Sequence, residues 1–101
     1  MLLPSAMPAD LLTAEELRAL DAVERYAILS DLYGEVKRLA DLKMTAIDAH
    51  ASARITAART PTPELKARVL EAKRDLDVVG AAIQARKLQM NILQTLLRSQ
   101  L

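Results

Sequence analysis

Between Ala22 and Leu101 proline occurs at one place only, the stretch Thr60-Pro61-Thr62-Pro63-Glu64, which splits a long helical pattern into two arms of similar length. Proline has no amide donor and clashes with the preceding turn, so the incoming helix stops there. Thr62 then caps a new helix with Pro63 at its first position, where the missing donor is not needed. A chain with this single break folds back on itself, and the reading is an antiparallel helical hairpin.

Two further starts precede the first arm. Thr13 followed by Glu16 is a capping box, with Leu12 and Leu17 placed as a hydrophobic staple around it; Asp21 followed by Glu24 repeats the spacing. The pattern predicts a short helix near 14–20, a long one near 22–59 and another near 63–100. Residues 1–12, cut by Pro4 and Pro8, are expected to be flexible or irregular, and 13–101 to form a single helical-hairpin domain. Composition agrees. Eighteen Ala and eighteen Leu dominate an apolar half of the chain in which Tyr26 and Tyr33 are the only aromatic residues, and Ala and Leu favour helix while strand-forming residues are scarce. The fold class is all-α.

Each arm carries an apolar line. In the second, Leu65, Val69, Ala72, Leu76, Val79, Ile83, Met90, Leu93 and Leu97 follow a heptad, interrupted only by Arg86. In the first, Tyr33, Met44 and Ile55 recur every eleven residues, as do Val36, Ile47 and Ala58, and Leu29, Ala40 and Ala51, a period that keeps a stripe on one face of a nearly straight helix. Folding at the prolines sets Ala58 by Leu65, Ala51 by Ala72, Ile47 by Leu76, Met44 by Val79, Ala40 by Ile83 and Tyr33 by Met90. The two helices then finish flush at about 57 Å. Charge supports the pairing: residues 10–35 carry a net −5, and residues 80–101, which lie alongside, carry +3.

These arms hold more apolar surface than one hairpin buries. Ile28, Leu32, Leu39 and Leu42 run beside the first stripe, and Leu88, Ile92 and Leu96 beside Leu93 and Leu97. A helix apolar most of the way round is buried from several sides. The expected remedy is a second copy, a homodimer forming a four-helix bundle with coiled-coil packing through Ile28, Leu32, Leu39, Leu88, Ile92, Leu93, Leu96 and Leu97. The rival remedy is a helix from another protein.

Chemistry is sparse. No cysteine and a lone His50 leave no basis for a metal site, and no cofactor is expected. Arg86, near the level of Glu35, reads as its ion-pair partner or as a side chain reaching solvent. Gly34 and Gly80, inside helices, call for a close neighbour or a local bend. No phosphate-binding glycine loop or nucleophile elbow is present. Leu17-Arg18 followed by Asp21 faintly resembles the opening of the all-helical chorismate mutases. That family also needs an Arg-Glu pair opening its second helix, where this chain reads Pro63-Glu64-Leu65-Lys66, so an enzyme is not expected.

The expected function is a non-catalytic interaction, assembly or adaptor protein working through apolar helix faces. The alternative lies at the hairpin tip, where Arg54, Arg59, Lys66, Arg68, Lys73 and Arg74 against Glu64 and Glu71 give a net +4, suited to the phosphates of nucleic acid. The net charge of +1, the absence of any apolar run near the roughly 20 residues of a membrane span and the lack of a secretory-type N-terminus lead to the expectation of a cytoplasmic protein with no membrane partner. The Ala, Leu and Arg bias suggests a high-GC bacterium or one of its phages.

Overall fold

A computed structural model describes residues 11–99. They form three helices and no strand: α1 (Ala14–Ala19), α2 (Ala22–Arg59) and α3 (Pro63–Ser99). The expectation for the N-terminal segment falls mostly on residues 1–10, outside the described residues.

Every helix starts where its cap chemistry places it. Glu16 N donates to Thr13 Oγ1 at 3.1 Å and Thr13 N donates to Glu16 Oε1 at 3.0 Å, closing the first capping box. Asp21 and Glu24 close the second at 2.8 and 3.0 Å. At the tip, Leu65 N donates to Thr62 Oγ1 at 3.2 Å. These bonds satisfy amides that the first helical turn leaves without partners.

α2 and α3 lie antiparallel along a rod of 59 × 19 × 17 Å, and α1 folds across the end away from the tip. α3 turns its predicted heptad inward: Leu65, Val69, Ala72, Leu76, Val79, Ile83, Met90, Leu93 and Leu97 are all buried or half-buried. α2 does not present the stripe expected of it. Its seam is Arg25, Leu29, Leu32, Val36, Leu39, Lys43, Ala46, His50, Ala53 and Ala57, all buried or half-buried, whereas Tyr33, Ala40, Met44, Ile47, Ala51, Ile55 and Ala58 are exposed. The helix is rotated by less than a quarter-turn from the expected face. The reason is geometric. The buried line of α3 repeats every seven residues, and an eleven-residue line drifts away from a seven-residue one along the rod, so α2 faces α3 with its own seven-residue line.

The core is concentrated at the open end. Leu17, Leu29, Leu32, Met90, Leu93 and Leu97 form one cluster, bordered by Leu11, Leu12, Leu20, Ile28, Ile92 and Leu96. Leu39, Val79, Ala82 and Ile83 form a second. From residue 40 to residue 78 no residue is buried. Among the described residues no helix is long and apolar enough to cross a membrane.

Gly34 and Gly80 have no close neighbour: a Cβ built at either meets no atom within 4 Å. The close-approach reading of these glycines is therefore incorrect within this chain.

Candidate interaction surface

The open end is held by polar side chains inside an apolar core. Arg86 is fully buried; its Nε donates to Glu35 Oε2 at 3.1 Å and its Nη1 donates to the Ala82 carbonyl at 3.4 Å. This is the ion pair read from the sequence, in place of the apolar residue a heptad asks for. Arg25, 7% exposed, donates from Nε to the Leu17 carbonyl at 3.2 Å and from Nη2 to the Arg18 carbonyl at 2.8 Å. A guanidinium there satisfies carbonyls at the end of α1 and complements its dipole. On the other side of α1, buried Gln89 donates from Nε2 to the Leu12 carbonyl. Arg25 and Gln89 thus moor α1 at both ends. The sequence signal for them is a polar residue within or beside an apolar heptad, the same signal that marks Arg86.

α1 covers one flank of the hairpin. Its Leu17 sits in the cluster bordered by Ile28, Ile92 and Leu96, so three residues expected at a dimer interface are half-buried within the chain. Leu32, Leu39, Leu93 and Leu97, four more of that set, are buried between this chain's own helices. The apolar area of those four is removed from water within the chain, while Ile28, Ile92 and Leu96 keep part of theirs exposed. Only Leu88, 62% exposed, stands mainly on the surface.

The other flank is bare. Beside its buried seam α2 carries a second heptad line one position along: Tyr26, Ser30, Tyr33, Lys37, Ala40, Met44, Ile47, Ala51, Arg54 and Ala58, every one exposed. Tyr26, Tyr33, Met44 and Ile47 are 59, 52, 61 and 38% exposed, and Ile55, on the edge of the line, is 55% exposed. Near the tip Ala51, Arg54, Ile55 and Ala58 shape a shallow apolar depression. Helical spacing places Lys66, Lys73, Gly80, Lys87 and Gln94 of α3 on this same flank, and Gln94 Nε2 donates to the Tyr33 hydroxyl at 2.9 Å across the groove. Single exposed apolar residues are ordinary; a row of them on one helix flank is not.

Arg54, Arg59, Lys66, Arg68, Lys73 and Arg74 are all exposed. Lys73 is ion-paired with Asp77 at 2.6 Å. The six are not one patch. Arg54, Lys66 and Lys73 border the bare flank, while heptad position puts Arg68 on the opposite one. His50 is half-buried in the α2 seam, and among the described residues no three His, Cys, Asp or Glu side chains are grouped to hold a metal ion.

Comparison with known proteins adds no family to this geometry: no protein-family model, no curated protein and no solved structure matches the chain.

Proposed function

We infer that the chain is a non-catalytic interaction module, an assembly or adaptor protein that works through the apolar helix face its own hairpin leaves uncovered. One observation carries this reading. Beyond Leu39 and Val79 the two helices continue to the tip without a buried residue, while Met44, Ile47 and Ile55 stand exposed beside them. Helices of this length are stabilised chiefly by packing an apolar face, and a partner laid along the bare line supplies the core that the distal half lacks. A second copy of the chain, forming a four-helix bundle, is one such partner; a helix of another protein is the other.

The test is a photocrosslinking residue placed at Met44, at Ile55 and, as a control on the other flank, at Ser52, in the host that expresses the protein. Discrete adducts at 44 and 55 but not at 52 are expected. Equal or no adducts at all three positions would remove the reading.

The tip supports a second reading, binding of nucleic-acid phosphates, because its six cations are all exposed. Duplex binding that weakens with salt and is lost when Arg59, Lys66, Arg68 and Lys73 are changed to Ala would favour it. Binding that ignores those changes eliminates it.

A further inference from the structure

The bare flank has a charge as well as a shape. The α2 line is interrupted only by Ser30 and by two cations, Lys37 and Arg54, and α3 borders it with Lys66, Lys73 and Lys87. Asp77 is the acid on this border, and it is held by Lys73. Heptad position sends most of the other acids to the opposite flank: Glu24, Asp31 and Glu35 on α2, and Glu64, Glu71 and Asp75 on α3. The hairpin is therefore asymmetric: lysines predominate along the α3 edge of the bare row, while these six acids, with Arg38, Arg59 and Arg68 among them, stand on the other flank, whose open end α1 covers.

Resting on the reading above, we propose that the occupant of the bare flank is an acidic amphipathic helix of a different protein, lying in the groove between α2 and α3 and converting the distal hairpin into a three-helix bundle. Three observations select it. The row is a heptad in which Tyr33, Met44 and Ile47 alternate with Ala40, Ala51 and Ala58, so it offers knobs and also the holes that a facing helix fills. A lipid surface has no use for such holes, and a phosphate backbone has none for a central apolar row. The α3 lysines along one side of the row, with Lys37 and Arg54 within it, match carboxylates at that edge of an incoming helix, while Asp41 and Asp48 stand with Ile55 on the outer edge of α2. A second copy docking through the same face sets Lys37, Arg54 and the α3 lysines against their own kind, and like charges brought together across an interface are repulsive. A copy docking through its acidic flank meets α1, which already covers the open end of that flank.

The experiment uses the full chain and two synthetic helical peptides of roughly 30 residues, the length that matches the α2 line at about 1.5 Å per residue. Both carry the same Leu and Ile seam; one has Glu at the flanking positions and the other Lys. Fluorescence anisotropy is expected to show the Glu peptide binding at least about tenfold more tightly than the Lys peptide. The variant K37E/R54E, changed only at exposed positions, is expected to reduce that preference with its helical circular dichroism unchanged, and M44S/I47S to weaken both peptides. Equal binding of the two peptides, or no binding by either, overturns the proposal, as does a preference that K37E/R54E leaves intact. So does a concentration-dependent dimer abolished by M44S/I47S, which assigns the face to a second copy, or tight binding to phosphatidylserine vesicles lost in the same variant, which assigns it to a membrane. Adducts at 44 and 55 alongside a failed peptide titration would leave the interaction module standing and sink only the acidic helix.

Discussion

The two halves of the hairpin share helices, period and register, yet only one has a core. In the open half Leu17, Leu39 and Leu93 are essentially inaccessible, and Arg86 is buried with its partner beside it. In the distal half the same α2 seam reads Lys43, Ala46, His50, Ala53 and Ala57, none of them buried. The difference lies in the third helix and in side-chain size. α1 closes the open end from a second side; next to it Leu39, Val79 and Ile83 are large enough to be buried between α2 and α3 alone, whereas the alanines and polar residues of the distal α2 seam are not.

The largest expected effect tests that contrast directly. Leu93→Ala should destabilise the fold by about 2–5 kcal/mol, the range for truncating a buried leucine. Ile55→Ala, in the distal half, should stay within about 0.5 kcal/mol, as exposed substitutions do. Urea unfolding of both variants checks this, and comparable losses would mean that the distal half has a core after all.

Next comes the buried ion pair. Glu35→Ala leaves the Arg86 guanidinium without its carboxylate and is expected to cost about 2–3 kcal/mol, less than a fully dry pair because the Glu35 side chain is 33% exposed. Arg86→Met, which fills the site with an apolar side chain of similar reach, should be close to neutral. A thermal melt in which both variants fall equally would show that the arginine acts through its packing and not its charge.

A smaller change of opposite sign is expected at the boundary between the halves. Gly80 is helical, and an added methyl meets open space. Gly80→Ala should therefore raise stability by about 0.5–1 kcal/mol. A loss in calorimetry would reveal a neighbour at this position in the folded protein in solution.

The smallest effect concerns α1. The Thr13 amide, and then its hydroxyl, hold the Glu16 carboxyl below its ordinary value of 4.5. A carboxylate whose folded pKa is depressed contributes stability that is complete above its unfolded value and is lost as the pH falls through the folded one. Amide exchange in α1 should accelerate below pH 4.5, and Glu16→Gln should remove that component of the acid sensitivity without touching the distal half.

Much of the fold was legible in residue order. Thr13, Asp21 and Thr62 each start a helix where their side-chain oxygens meet free amides, and the heptad of α3 from Leu65 to Leu97 faces its partner as read. The candidate surface was misread in one respect. Tyr33, Met44, Ile47 and Ile55 are larger and more apolar than Ala46, His50, Ala53 and Ala57, so hydrophobicity alone turns the wrong face of α2 inward. α2 carries two heptad lines side by side, and nothing local distinguishes the buried one from the bare one. Arg25 and Gln89 escaped notice for a related reason: a polar residue in a seam acquires its meaning from the carbonyl it reaches, and those carbonyls lie on another element, α1 or its lead-in, whose docking no local pattern announces.

The sequence by itself determined where the helices begin and end and that the chain doubles back at Pro61 and Pro63, because caps and prolines act within a turn of their own position. Only the tertiary structure decided which side of α2 meets α3, that α1 covers one flank, and that an apolar row bordered by lysines is left on the other. Those outcomes depend on matching two helices along their whole length and on where a third one docks, choices that no single segment contains.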